Sequence, residues 1–169
     1  IIVGCAMPEG PQGLNIARIA TLLAGLPDST PAYTLNRFCS SGLQSVSNAA
    51  DLIKSGSSDL VIAAGVESMS SVPMTGFKPS MNPKILLDEN ISIAYGMGLT
   101  AEKVVQKYGI SREAQDQFAF ESHQKAIKAN NNGLFENEIA PIETVDDSYS
   151  IKSNEYIKNT NLVSKDEGP

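Results

Sequence analysis

Two cysteines, one histidine and a scatter of carboxylates are the groups in this 169-residue sequence that could serve as nucleophile, base or acid. Cys39 stands in the setting with the most chemical content. It falls in Leu35-Asn36-Arg37-Phe38-Cys39-Ser40-Ser41-Gly42-Leu43, after an extended stretch and before a helical pattern. A thiol at the first turn of a helix faces backbone N–H groups without intrahelical partners, and the positive end of the helix dipole favours its thiolate. A strand-turn-helix elbow also carries the side chain to the carboxyl edge of a sheet, where α/β proteins place their ligands. The small residues Ser40, Ser41 and Gly42 leave room for a carbonyl to come close. The competing reading is a buried, inert cysteine, the commoner fate of an intracellular thiol, and position alone leaves the two level.

The other reactive groups have plainer settings. Cys5 lies in an apolar strand and reads as core. His123 sits mid-helix in Glu121-Ser122-His123-Gln124-Lys125, among polar neighbours, and reads as a solvated or packing residue. Two cysteines and one histidine assemble neither a disulfide scaffold nor a usual structural zinc site. Lys78, Lys84 and Arg112 show no phosphate-loop spacing, and Gly10 to Gly13 matches no dinucleotide fingerprint.

The elements that would position Cys39 follow from apolar periodicity. Ile1 to Cys5 reads as a buried strand, and Asn15 as the cap of a helix to Ala24 whose apolar face is Ile16, Ile19, Ala20 and Leu23. Pro31 to Asn36 is extended. From Ser40, Leu43, Val46, Ala50 and Ile53 recur at helical spacing, and Gly56 stands where a C-terminal cap belongs. Leu60 to Ala64 is a continuous apolar strand. Strand, helix, strand, helix, strand is the arithmetic of βαβ units in a mostly parallel, covered sheet. Beyond Ser70 the chain turns loop-like to Asn90. Helices follow at Thr100–Tyr108 and Arg112–Asn131, then a strand at Ile139–Val145 and a polar tail from Asp146. The expected organisation is an α/β core over residues 1–70 and a mostly helical loop domain over 71–169.

Composition narrows the function classes. Hydrophobic residues make up 41% and charged ones 19%, as in soluble globular chains. With 13 Lys and Arg against 19 Asp and Glu, the net charge of -6 argues against a general nucleic-acid surface. No apolar run is long enough to insert in a membrane. A reducing cytoplasm is the expected setting. The opening strand lacks an initiator methionine, and the close, Lys165-Asp166-Glu167-Gly168-Pro169, is a charged turn. Both ends are therefore expected to be cuts in a longer protein.

Three stretches carry a family resemblance. Asn36-x-x-Cys39-Ser40-Ser41-Gly42-Leu43-Gln44, with Val46 and Ile53 downstream, resembles the active-site signature of the thiolases. Gly65-Val66-Glu67-Ser68-Met69-Ser70 resembles the family's second landmark. Met97-Gly98-Leu99-Thr100-Ala101-Glu102, followed by a helix and Ser111-Arg112-Glu113, resembles a third. The resemblance implies a thiolase-like α/β fold, here part of the N-terminal core half and the loop domain. It also implies cleavage of 3-ketoacyl-CoA by CoA, or the reverse Claisen condensation, through an acyl-cysteine on Cys39. Met97 between glycines matches a position near the reacting acyl group, and Phe38 would line the same pocket; ordinary packing is the plainer alternative for both. Glu67 matches a structural turn rather than a general base.

No cofactor is implied, since CoA and acyl-CoA are substrates, and the expected partner is a second copy in a homodimer or homotetramer. The family's activating histidine, second cysteine and oxyanion asparagine lie in its later half, beyond Pro169, so this segment alone is expected to be inactive. Gly96 before Met97-Gly98, where short-chain biosynthetic members carry histidine, favours the degradative type and fatty-acid β-oxidation. The rival readings are a related condensing enzyme, a non-catalytic thiolase-like acyl-binding protein, and a redox module. The last lacks a nearby second cysteine to resolve a sulfenate.

Overall fold

The apolar runs at either end of the first crossover fold as three-residue strands: β1 (Ile2–Gly4) and β2 (Tyr33–Leu35) pair in parallel, Val3 opposite Thr34. On the other side of β1 lies β3 (Ala63–Gly65), also parallel, so the sheet order is β2-β1-β3. The computed structural model describes residues 1–150 and 155–164 and divides into two compact units, Ile1–Asn90 and Ile91–Pro169. The expected boundary near residue 70 lies inside the first of these, and the charged turn at 165–169 lies outside the described residues.

Helices α1 (Ile16–Leu23) and α2 (Ser41–Lys54) flank the sheet. Alternate side chains of a strand point to opposite faces. On β2, Thr34 Oγ1 accepts the Ala17 N–H of α1, whereas the Tyr33 hydroxyl accepts from Asn48 of α2. The helices therefore cover opposite faces. That is what right-handed crossovers produce when the first steps to one side of β1 and the second returns past it.

The faces that these helices bury differ from the expected ones. The apolar stripes at Ile19 and Leu23 on α1 and at Leu43, Val46 and Ile53 on α2 are exposed. Ala17 and Thr21 of α1, and Ser41, Ser45 and Ala49 of α2, face inward instead. The small residues at these inward positions let the helix backbone come down onto the strands. Strand β3 is also displaced: Leu60 is 84% exposed and pairing begins at Ala63. Asn15 stands at the N-cap of α1 in the left-handed region and makes no capping bond. Its amide donates to Ala32 O and its carbonyl accepts from Thr34 Oγ1. Thr34 thus caps α1 from the neighbouring strand.

The second unit holds α3 (Met97–Tyr108) and α4 (Arg112–Asn131). Gly109, left-handed with φ 64°, ends α3 by donating its N–H to Val105 O. Ser111 caps α4, accepting the Ala114 N–H at 3.2 Å. The strand expected at Ile139–Val145 begins at Ile142 and runs on into the polar tail: β4 (Ile142–Ser150) pairs antiparallel with β5 (Glu155–Val163) in a two-stranded ribbon. Among the described residues no helix is long and apolar enough to cross a membrane.

Thr34→Val removes the acceptor for a main-chain N–H of the fully buried Ala17. Urea unfolding of the full-length protein should show a loss of about 0.5–2 kcal/mol, the range for a lost helix cap. Stability equal to wild type would mean that Thr34 does not hold the start of α1.

Candidate active site

Strand β2 ends at Leu35 and α2 begins at Ser41, so residues Asn36 to Ser40 must reverse the chain over a very short path. Side chains on both sides hold that turn. Asn36 Oδ1 accepts the Phe38 N–H at 2.8 Å. Ser41 Oγ accepts the Arg37 N–H at 2.8 Å and donates to Phe38 O at 2.6 Å, while the Ser41 N–H donates to the same carbonyl at 3.0 Å. Phe38 between these clamps has φ 47°, a left-handed conformation that bulky side chains adopt only when their surroundings impose it. Ser40, at the N-cap position, makes no side-chain capping bond, so Ser41 is the serine that shapes the elbow.

The elbow presents Cys39 to solvent, whereas Cys5 is buried at 1% exposure. Phe38, beside the thiol, is 64% exposed and packs into no core. The Arg37 guanidinium reaches forward to Gln44 Oε1 at 2.6 Å and lies along the first turns of α2. Beside β2 a cleft of about 350 Å³ is lined by Pro8, Asn15, Tyr33, Thr34, Leu35 and Asn36, so Asn36 belongs to both cleft and elbow. An accessible sulfur just ahead of a helix can attack a carbonyl.

The same sheet edge is braced by Glu67, just after β3. Its carboxylate accepts the Ala6 N–H at 2.6 Å and Gln12 Nε2 at 2.7 Å, with the Cys5 thiol at 3.9 Å. Gln12, itself 3% exposed, also donates to Met7 O and accepts the Ser68 N–H. Burial pushes the Glu67 pKa up, but the hydrogen bonds from Gln12, Ala6, Met7 and Cys5 outweigh it and hold the carboxyl below its usual range. Burial, and then the Glu67 charge, push the Cys5 thiol up. A carboxylate tied to this many donors is a poor general base and a good brace. Sequence reading missed Gln12, since a glutamine in a Gly/Pro-rich turn carries no signal of burial.

In the second unit, Met97 opens α3 and is 72% exposed, with Gly96 extended before it. His123 is exposed on α4, and Arg112 is engaged in a surface ion pair with Asp116 at 2.8 Å.

A parallel sheet flanked by helices, with an exposed cysteine at a strand-elbow-helix junction, makes the chain an α/β protein. Comparison with known proteins narrows this. Residues 1–165 match the thiolase N-terminal domain family, and the chain belongs to the thiolase family. It is 54% identical over 144 residues to the 3-ketoacyl-CoA thiolase of Bacillus subtilis, covering 85% of this chain and 36% of that protein. A Staphylococcus aureus protein described as "Probable acetyl-CoA acyltransferase" is 43% identical across 99% of this chain and 43% of its own. Among solved structures, the dimeric peroxisomal thiolase of Saccharomyces cerevisiae superposes with a TM-score of 0.76 at 37% identity, over 99% of this chain and 40% of that one. The acetyl-CoA acetyltransferase of Bacillus anthracis gives 0.73 at 35% identity, over 98% of this chain and 42% of that one. The chain thus spans about two fifths of the length of the relatives it matches.

The depressed pKa of Glu67 has a definite sign in stability. Ionised Glu67 stabilises the fold fully above the unfolded carboxyl pKa of about 4.3, and that contribution is lost as pH falls through the lower folded value. Glu67→Gln should therefore be less stable than wild type near neutrality, with the gap narrowing on acidification below about pH 4. Thermal melts of both full-length proteins from neutral to acid pH check this; a gap that does not change with pH would show that the charge is not what braces the sheet edge.

Proposed function

We propose that Cys39 is the nucleophile of a thiolase reaction that cleaves 3-ketoacyl-CoA with CoA, or runs the reverse condensation. The exposed thiol on a braced elbow at the head of α2 carries this reading. Sulfur attacks the 3-keto carbon, and the backbone N–H of Cys39, at the helix head, helps hold the oxyanion. Collapse of that adduct breaks the bond between C2 and C3; the electron pair leaves with acetyl-CoA and is protonated at carbon. The shortened acyl group remains on Cys39 as a thioester, and the thiol of CoA then takes it, regenerating the cysteine. The relatives' names, a 3-ketoacyl-CoA thiolase and an acetyl-CoA acyltransferase, support the substrate class.

Gly96 before Met97-Gly98 favours a degradative enzyme of fatty-acid β-oxidation. The yeast relative is described as dimeric, which supports a homodimer for the full-length protein, placed in the cytoplasm. From the family resemblance, Met97 is proposed as a residue that sets acyl-chain selectivity, and Phe38 as a neighbour of the nucleophile. The 169 residues alone are proposed to be inactive, because the family's base and second cysteine have no counterpart among them: Cys5 is buried and His123 is a surface residue of α4.

Two measurements test the proposal. Incubation of the full-length protein with acyl-CoA, without free CoA, should add one acyl mass to the peptide bearing Cys39. Cys39→Ala should abolish both adduct and thiolysis, and Cys39→Ser should leave a trace, because an alkoxide forms far less readily than a thiolate. An adduct elsewhere, or thiolysis by Cys39→Ala, would refute the assignment. For Met97, replacement by Phe should cut turnover of long 3-ketoacyl substrates about tenfold more than that of the acetoacetyl one. Equal loss on every chain length would make Met97 ordinary packing.

A further inference from the structure

We infer that Gly4, remote in sequence from Cys39 and part of a different element, is a positioning residue for the nucleophile. The inference rests on the acyl-cysteine reading above and extends it to the strand beneath the helix. Gly4 ends β1, the central strand, and the first turn of α2 lies directly on it. A Cβ at position 4 would overlap the Ser41 carbonyl carbon, 2.5 Å from its oxygen and 2.7 Å from the Gly42 N. Every one of those atoms is main chain. No side chain can swing aside to make room, so an alanine must displace either the strand or the head of the helix by most of an ångström.

The head of the helix is the part free to move. Both neighbours hold β1: Cys5 N–H donates to Leu35 O at 3.0 Å, and Gly4 O accepts from Val66 N–H at 2.9 Å. The displaced residues, Ser41 and Gly42, follow Cys39 almost at once, and Ser41 Oγ is the clamp on the elbow. A push on Ser41 is therefore transmitted to the turn that aims the thiol. Gly65 offers an internal control. It occupies the equivalent end of β3, but a Cβ there would meet only Gly4 O and Gly42 Cα at 3.8 Å, ordinary contact distances. One turn further along α2, Ser45, fully buried, donates to Ala64 O at 3.0 Å and ties the same helix to β3.

The test compares Gly4→Ala, Gly65→Ala and Ser45→Ala in the full-length protein, reading the rate of acyl-Cys39 formation in folded molecules, the kcat and KM for thiolysis, and the melting temperature. Misplacement by about 1 Å costs a reacting group on the order of 100-fold. Gly4→Ala should lower acylation and kcat by about that factor with little change in KM, and Gly65→Ala should stay within about threefold of wild type. Ser45→Ala introduces no clash and keeps the inference testable if Gly4→Ala does not fold; its acylation rate should fall about fivefold, the factor one ordinary hydrogen bond carries. A folded Gly4→Ala protein that melts lower but acylates at the wild-type rate would make Gly4 merely structural and overturn the inference. So would an equal loss in Gly65→Ala, or an unchanged rate in Ser45→Ala when Gly4→Ala fails to fold. Absence of any acyl group on Cys39 in the wild type would instead sink the acyl-cysteine reading itself.

Discussion

Strand β1 and helix α2 meet main chain to main chain at Gly4, and the first unit is arranged around that contact. Because position 4 has no side chain, the Ser41 peptide rests on the strand itself. The strand is the middle one of three, hydrogen-bonded on both sides at this point, so it defines the height of the sheet's carboxyl edge. The head of α2 is thereby placed level with the ends of all three strands. The connection from Leu35 to Ser41 must close the distance to that seat within a few residues. Its left-handed Phe38 is the local consequence of a seat fixed elsewhere.

Close approach also explains the polar character of the interior. The buried apolar set among the described residues is short: Ile2, Val3, Cys5, Ala17, Ala49 and Val72. Gln12, Thr21, Ser41 and Ser45 are buried beside it. Each hydrogen bond they make contributes only about 1 kcal/mol net, but a buried group left unpartnered costs about 1–3 kcal/mol. Among the described residues no buried side-chain nitrogen or oxygen lacks a partner. Such a network contributes modest stability and considerable directionality, since moving one element breaks several bonds at once. Gln12 makes its bonds at Glu67 and Ser41 makes its own in the elbow, whereas Thr21 bonds within α1.

The elements were legible in the sequence wherever periodicity and caps agreed. Ser111 with the run to Asn131, and Gly56 after α2, mark helix limits that the structure reproduces to within a residue or two. The parallel sheet followed from strand and helix alternation, and the elbow from the position of Cys39 between two patterns. The buried faces were not legible, because apolar periodicity locates a stripe without saying which layer meets it. In α1 and α2 the sheet is met by Ala17, Thr21, Ser45 and Ala49 instead. Of the β4–β5 ribbon only the start of β4 was legible, as the expected strand Ile139–Val145; its continuation and partner lie in the polar tail, where Asn, Ser and Lys interrupt the β-branched and aromatic residues. The roles of Gln12 and Gly4 escaped for a different reason: each depends on a contact between elements distant in sequence, which a single chain does not announce.

The acyl-cysteine reading asks for a thiol that is both presented and ionised. A free thiol is a few per cent ionised at neutral pH, and making it mostly thiolate takes about 2 pKa units, or roughly 3 kcal/mol. The end of a helix contributes about 0.3–1 kcal/mol, and at best about 2 kcal/mol. A basic group must make up the difference and take the proton. The family resemblance gives His123 no such role, and it stands exposed on α4 in the other unit. On the acyl-cysteine reading, placement and activation of the nucleophile are therefore separable tasks. Placement rests on Gly4, Asn36, Ser41 and Ser45, all within the first unit, and on main-chain contacts that do not change with the protonation of any partner. On that reading, a base that exchanges protons in every cycle acts on a sulfur whose position does not depend on that base.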